Sequence, residues 1–198
     1  MDFTMTPEQT ALINVDLQNG FVQAIPDGFA LVERINQLGE ACRDAGVLVI
    51  NTRHVLRPDG SNMGVLKNIP KIRDGFLDAG AESAALHSRL FVDPRDLHLE
   101  KPRFGAFHAT DLELILRARS IDTIIVSGIS TNVCCDTTAR EASARDFRVF
   151  FLSDGTATPA GADLHNATLD ILDGLFAQVL TVDAMLEKIA SATHRPAP

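Results

Sequence analysis

The sequence of 198 residues contains no tryptophan, no tyrosine and no long apolar run. A membrane-spanning helix needs about 20 consecutive apolar residues, so we expect no membrane partner. Residues 1–7 also lack the basic region followed by an apolar one that marks a secretory signal peptide. We therefore predict a cytoplasmic protein.

Cysteine and positive charge are scarce as well. The three cysteines are Cys42, Cys134 and Cys135, and their number and spacing fit neither a disulfide framework nor a zinc site. This usage is typical of a reducing compartment. Lys and Arg number 18 against 26 Asp and Glu, which gives a net charge of −8. Without a basic stripe or cluster, a nucleic-acid partner is not expected.

What the chain does contain is a regular alternation of strand-like and helix-like segments. With 45% hydrophobic and 22% charged residues, it predicts a single globular domain over residues 1–198. The alternation favours an α/β fold, a three-layer sandwich in which a mostly parallel sheet carries helices on both faces. Strands are predicted at 10–16, 47–52, 97–101, 123–126, 148–154 and 177–182, helices at 27–45, 111–120, 137–144, 161–175 and 182–190, an Asn19–Gly20 turn after the first strand, an irregular surface excursion at 55–95, and a loose tail at 194–198.

Three reactive side chains follow different strands of this predicted sheet. Asp16 ends the first strand, Lys101 ends the third, and Cys134 lies just beyond the fourth. Ligands of open parallel sheets bind at the carboxyl ends of the strands. The sequence therefore predicts that these three side chains meet at one edge.

Cys134 is the candidate nucleophile, with a plain alternative. Ser130, Thr131 and Asn132 are potential helix N-caps, which places the cysteine in the first turn of a helix. Free backbone N–H groups and the helix dipole there favour a thiolate and can hold an anion formed on a substrate. Cys134 can equally be a small buried hydrophobe, and position alone does not choose between it and Cys135.

Asp16 and Lys101 also have two interpretations each. Asp16 follows an apolar run, so it is either a partly buried general base or a solvated acid at a strand end. Lys101 shares a strand face with Leu97 and Leu99. It either pairs with Asp16 or extends its charged end to solvent.

Several further residues are candidates for the walls of a pocket. His54 has no second histidine at ligand spacing, so we interpret it as a residue that lines the site and predict no metal. Phe104, Phe107 and His108 either form a pocket wall or pack the loop onto the next helix. A carboxylate on the substrate would suit a bidentate arginine, and the candidates are Arg53, Arg57 and Arg103.

Three stretches, in order, resemble the isochorismatase-like hydrolase family, also called cysteine hydrolases. They are residues 12–21, residues 101–112 and residues 128–142, and the resemblance extends over about residues 8–190. Each stretch alone is weak evidence, but all three occur at separations typical of the family.

The resemblance implies a role for particular residues. The family has a triad of Asp, Lys and Cys, which the resemblance places on Asp16, Lys101 and Cys134. In the family the nucleophilic cysteine follows Thr-Asn-Val, and this selects Cys134 over Cys135. A cis peptide is implied between Ile129 and Ser130. The backbone N–H groups of Ser130 and Cys134 would then form an oxyanion hole.

The resemblance also implies an activity. Members that keep the cysteine hydrolyse small amides, so it implies a cysteine-dependent amidohydrolase that cleaves a small linear amide or ureido compound (biuret, ureidoacrylate or N-carbamoyl type) through a thioester. The alternatives are an isochorismatase-type vinyl ether hydrolase and a non-catalytic binding member. The nicotinamidase branch binds a metal through Asp-x-His, which here reads Thr52-Arg53-His54, so no cofactor is expected. A homo-oligomer (dimer or tetramer) is implied, and the candidates for substrate contact are Gln18, Phe21, Arg53, His54, Phe104, Phe107 and His108.

Overall fold

The structure, a computed structural model, describes residues 3–193, and the predicted tail lies outside them. Strands and helices alternate through this part of the chain. The strands are β1 (Thr10–Val15), β2 (Leu48–His54), β3 (Leu97–Lys101), β4 (Thr123–Ile129), β5 (Arg148–Ala157) and β6 (Gln178–Leu180). The helices are α1 (Asn19–Val22), α2 (Gly28–Asp44), α3 (Pro70–Arg73), α4 (Leu112–Ala118), α5 (Asp136–Ser143), α6 (Ala162–Leu172) and α7 (Val182–Thr193).

The six strands form one sheet in the order β3-β2-β1-β4-β5-β6. Every neighbouring pair is parallel, so the predicted mostly parallel sheet is entirely parallel. From β1 the chain builds outward to β3, and then returns to add β4 on the other side of β1. The strand order therefore reverses between β1 and β4, which is where a ligand crevice forms in sheets of this kind.

Helices cover both faces of the sheet, as expected for three layers. Ile13 and Val15 pack with residues of α4 and α5, whereas Leu12 between them packs with residues of α2 and α7. All three side chains are fully buried. Because successive strand residues point to opposite faces, burial of both faces explains why β1 and β4 are continuous apolar runs rather than alternating ones.

The structure departs from the expected elements at several points. Strands β4 and β5 each extend three residues beyond their predicted ends, to Ile129 and Ala157. Asn19 and Gly20 begin the one-turn helix α1 instead of forming a turn, because the N–H groups of Phe21 and Val22 both donate to the Gln18 carbonyl, at 3.0 and 2.9 Å. Helix α6 ends at Leu172, and β6 has only three residues. The segment just before α5 is a π-helical turn, Thr131–Cys135.

The predicted excursion at 55–95 is irregular and lies over the carboxyl end of the sheet. It carries α3 and two short 3-10 helices, Gly64–Asn68 and Glu82–Ala84. Its apolar residues form a cluster of their own, which Phe21 and Phe104 join from outside the excursion. No helix within residues 3–193 has the length and apolar character that crossing a membrane requires.

Candidate active site

Asp16 follows directly on β1 in an uncommon backbone conformation. Its φ is +52°, a left-handed value that few residues other than glycine adopt and that is found often at functional sites. The Thr52 hydroxyl fixes it twice, donating to Asp16 Oδ1 at 2.8 Å and accepting from Asp16 N at 3.1 Å. The carboxylate is fully buried, so it faces the interior of the site and not solvent.

Lys101, at the end of β3, pairs with this carboxylate. Its Nζ lies 2.6 Å from Asp16 Oδ2, and neither side chain is exposed. The ammonium also donates to the carbonyls of Arg103 and Phe104, at 3.0 and 2.8 Å. Burial is the largest single influence on the pKa of Lys101 and lowers it, but the charge and hydrogen bond of Asp16, with the other negative groups nearby, together outweigh burial, and the net effect is a raised pKa. Lys101 is therefore a buried cation with three oxygen partners, and it does not extend to solvent.

The structure separates the two neighbouring cysteines. The sulfur of Cys134 lies within 4.8 Å of both the Asp16 carboxylate and a His54 ring nitrogen. The fully buried Cys135 instead faces the Ser127 carbonyl, with its sulfur 3.8 Å away. Because successive helical residues point about 100° apart, only Cys134 reaches Asp16.

The pKa of the Cys134 thiol is raised to about 12, whereas a position at the start of a helix was expected to favour the thiolate. Burial is the main cause; the charge of Lys101 lowers the pKa, and the charge and hydrogen bond of Asp16 raise it. The prediction assumed free N–H groups at the start of an α-helix, whereas Cys134 lies inside a buried π-helical turn. The resting site is a thiol beside a carboxylate, which is the arrangement of a nucleophile with its base.

A backbone donor lies beside the sulfur. The peptide between Ile129 and Ser130 is cis, and the Ser130 N–H forms a hydrogen bond with the Cys134 sulfur that lowers the pKa of the thiol. The Ser130 carbonyl accepts from the N–H groups of Val133 and Cys135, both at 3.1 Å. The π-helical turn therefore holds a donor at the reacting atom.

A cavity of about 240 Å³ opens onto Cys134. The cavity is smaller than the sites of drug-sized ligands. His54, Phe21 and Phe104, all predicted candidates, line it together with residues of the excursion. The full lining is Gly20, Phe21, Ala24, His54, Ile69, Lys71, Ile72, Phe76, Leu77, Phe104, Ser130, Val133, Cys134 and Pro159.

Gln18 and Arg53, two candidates for substrate contact, do not line this cavity. The Gln18 amide links the end of β2 to the 3-10 helix Glu82–Ala84, since it accepts from His54 N at 2.8 Å and donates to the carbonyls of His54 and Ala84, at 3.1 and 2.8 Å. All of this bonding is internal, so Gln18 positions His54 rather than a ligand. Arg53 lies on the alternate face of β2 and pairs with Glu100 at the surface.

Phe107 and His108 lie away from the cavity as well. Phe107 is buried in the core, with its ring centroid 5.8 Å from that of Phe147, and His108 is exposed. The chain turns inward after Phe104, so only that aromatic residue faces the site. Of the two interpretations of this loop, packing is correct for Phe107, and the wall interpretation is correct for Phe104.

Residues of the excursion complete the cavity, and sequence reasoning did not identify them individually. Ile69, Ile72 and Phe76 have no chemistry of their own to mark them. The only signal is that an irregular segment carries many apolar residues. The second unpredicted contributor is Thr52, whose hydroxyl fixes Asp16.

The residues at the site do not fit a resident metal. Asp16, His54 and Cys134 bring three potential ligand atoms within 4.8 Å of one another. However, Lys101 already places a cation 2.6 Å from the carboxylate, and Thr52 uses its hydroxyl on Asp16. A metal ion would have to displace the ammonium or lie against its charge.

The family follows from comparison with known proteins. A family model described as the isochorismatase domain matches residues 10–184. The chain belongs to the isochorismatase family. The resemblance inferred from the three sequence stretches is thus confirmed.

Named relatives in the isochorismatase family include two amide hydrolases. A ureidoacrylate amidohydrolase RutB of Methylorubrum extorquens is 29% identical over 96% of this chain and 87% of its own length. Nicotinamidase 3 of Arabidopsis thaliana is 34% identical over 88% of this chain and 86% of its own. A crystal structure of a cysteine hydrolase from Pseudomonas syringae pv. phaseolicola 1448A has a TM-score of 0.88 and 33% identity, and covers 96% of this chain and 97% of that one.

Proposed function

We propose that this isochorismatase-family protein is a cysteine-dependent amidohydrolase that cleaves the C–N bond of a small amide or ureido compound through a thioester. The observation that carries the proposal is the buried group of Asp16, Lys101 and Cys134 at the base of a small cavity. A thiol beside a paired carboxylate is the arrangement that covalent acyl transfer requires.

In the first step Asp16 accepts the proton of the Cys134 thiol as the sulfur attacks the substrate carbonyl. The new C–S bond converts the carbonyl into a tetrahedral oxyanion. We assign the backbone N–H groups of Ser130 and Cys134 as the donors that stabilise this oxygen. Loss of one such donor typically costs about 2.7–4 kcal/mol of transition-state stabilisation.

In the second step Asp16, now protonated, gives its proton to the departing nitrogen, and the C–N bond breaks. Ammonia or an amine leaves, and the acyl group remains on Cys134 as a thioester. A water molecule, deprotonated by Asp16, then attacks this thioester. The products are a carboxylic acid and the regenerated thiol, so one water is consumed for each amide cleaved.

Lys101 acts on the reaction through Asp16. Its ammonium lies 2.6 Å from the Asp16 carboxylate and compensates the negative charge inside the buried site. Lys101 is therefore a positioning residue in this mechanism and does not exchange protons with the substrate.

The named activities of the relatives support an amide as substrate. One acts on ureidoacrylate and the other is a nicotinamidase, so a linear ureido compound and a carboxamide on an aromatic ring are both found as substrates among proteins about equally similar to this chain. We therefore propose the reaction class, with biuret, ureidoacrylate and N-carbamoyl compounds as candidates beside simple carboxamides.

The test is ammonia release from a panel of amides by the native protein, Cys134→Ala and Cys135→Ala. We expect turnover of at least one amide, its loss in Cys134→Ala, and its retention in Cys135→Ala, because Cys135 faces the core. Ammonia release retained in Cys134→Ala would instead indicate amide cleavage that does not use this thiol. A native protein that forms no acyl-enzyme with any panel member would indicate a binding function.

A further inference from the structure

The lining of the cavity carries information about the acyl part of the substrate. Beyond Cys134 and Ser130, the walls are formed almost entirely by apolar side chains. Phe21 and Phe104 approach from the sheet side, and Ile69, Ile72 and Phe76 approach from the excursion. A polar group placed among them would lose its hydrogen bonds to water without replacement, which typically costs a large part of its binding energy.

No arginine is among the described residues that line this cavity. Arg53 is paired with Glu100. Arg103 donates to the Asn62 carbonyl at 3.0 Å, and Arg57 is exposed on the surface. The bidentate contact that would recognise a substrate carboxylate is therefore not available from any of the three candidates.

The cation that does line the cavity is Lys71, and it lies at the rim. Its ammonium is 3.7 Å from the centre of the Phe76 ring, so it already has a cation–π partner. The side chain is exposed, and a carboxylate that reached it would remain in water, where an ion pair contributes little.

His54 is the polar side chain that faces the cavity from within. It is fully buried, and neither ring nitrogen has a hydrogen bond of normal geometry within the described chain, although the Pro102 carbonyl makes a weaker contact. A neutral imidazole offers one acceptor nitrogen. That acceptor, with the backbone donors beside Cys134, matches the needs of one primary amide group.

From these contacts we infer that the substrate is a primary carboxamide with an uncharged, apolar acyl group small enough for a cavity of about 240 Å³. This inference rests on the proposed amidohydrolase function and narrows its substrate class. A carboxylate-bearing amide presents one additional polar group and a ureido compound presents more, and these walls leave them without partners.

Binding to Cys134→Ala tests this inference separately from the chemistry, because the variant keeps the cavity walls. The probes are isovaleramide, biuret and succinamate, three compounds of similar size that are respectively apolar, ureido and carboxylate-bearing. By calorimetry we expect isovaleramide to bind at least tenfold more tightly than the other two. Equal or tighter binding of biuret or succinamate would overturn the inference, whatever the activity of the native protein.

Turnover by the native protein and two rim variants provides the second test. Ile69→Asn should lower kcat/KM for isovaleramide about fivefold, whereas Val65→Asn, on the same excursion but outside the lining, should not change it. Lys71→Met should raise it up to threefold by extending the apolar rim. A tenfold fall with Lys71→Met would assign the ammonium to substrate binding and refute the apolar assignment.

The binding and turnover experiments together distinguish the proposed amidohydrolase function from the inferred apolar acyl group. Tight binding of isovaleramide without hydrolysis of any amide would refute the proposed amidohydrolase function and would still support an apolar pocket. If the native protein hydrolyses biuret or succinamate in preference to isovaleramide, and Cys134→Ala loses this activity, the proposed amidohydrolase function is supported and the inference of an apolar acyl group is overturned.

Discussion

At the scale of single residues, Lys101 and Asp16 form an ion pair in which each charge compensates the other inside the protein. Both side chains are fully buried, so removal of one partner leaves the other without compensation. We expect Lys101→Met to lower the free energy of unfolding by about 3–5 kcal/mol, measured by chemical denaturation. The double variant Asp16→Asn/Lys101→Met removes both charges and should be more stable than Lys101→Met alone. Additive losses would show that the pair is not energetically coupled.

His54 predicts a dependence of stability on pH. Burial and the charge of Lys101 lower the pKa of His54 to about 4, whereas in the unfolded chain it is near 6.5. Above pH 6.5 the imidazole is neutral in both states. As the pH falls from 6.5 towards 4 the unfolded state takes up a proton that the folded state does not, so stability is lost, by about 3 kcal/mol in total.

The measurement is denaturant unfolding at pH 7, 6, 5 and 4 for the native protein and His54→Gln. Glutamine cannot titrate, so the variant should lose less stability than the native protein over this range. Carboxylates contribute equally to both profiles, and the difference between them isolates His54. Parallel profiles would mean that the folded protein protonates His54 as readily as the unfolded one.

At the scale of elements, the close approach of β1 and β4 positions the site. Gly128 lies at the end of β4 with φ +115°, and a Cβ there would lie 2.0 Å from the Val15 carbonyl oxygen. Gly128→Ala should therefore destabilise the fold by at least about 2 kcal/mol and separate Cys134 from Asp16. The matched control is Gly60→Ala, where φ is +72° but nothing lies within 4 Å. Thermal denaturation and turnover of both variants test the difference.

The elements that the sequence predicts best are those with a periodic pattern. The apolar run of β1 and the helical spacing of α2 predict both ends of these elements within one residue, and the apolar run of β4 predicts where that strand begins. The parallel sheet rule then predicts that Asp16, Lys101 and Cys134 share one edge. The electrostatics of Cys134 could not be predicted, because its pKa depends chiefly on burial and on the charges of Lys101 and Asp16, which the sequence does not show. The π-helical turn has no sequence pattern that distinguishes it from an α-helical turn.

The residues that form the cavity wall could not be predicted from the sequence. Ile69 and Ile72 lie in a segment without periodicity, and their proximity to Cys134 depends on how the excursion folds back over the sheet. Phe104 and Phe107 are equivalent in sequence terms, yet one lines the cavity and the other packs in the core. Only the turn between them, which the sequence does not specify, decides which ring faces the substrate.

At the scale of the whole molecule, the two ends of the strands differ. The carboxyl edge of the sheet carries the reactive residues, and the amino edge carries a buried ion pair that serves stability. Asp96 immediately precedes β3 and binds Arg43 of α2 through two hydrogen bonds, at 2.8 and 2.7 Å. The side chains are only 6% and 1% exposed. Asp96 lies five positions before Lys101, so the two residues are roughly 16 Å apart along the strand. The two buried ion pairs therefore lie at opposite ends of the same strand.

This separation predicts that stability and activity can be changed independently. Asp96→Asn leaves the buried Arg43 cation uncompensated, so we expect a loss of about 3–5 kcal/mol in the free energy of unfolding. The substitution does not reach the carboxyl edge, so kcat/KM measured well below the unfolding temperature should stay within twofold of native. Asp74→Asn, in an exposed pair, is the control and should cost less than about 1 kcal/mol. A large fall in kcat/KM for Asp96→Asn in the folded protein would mean that β3 transmits the disturbance to Lys101, and that the two edges are coupled.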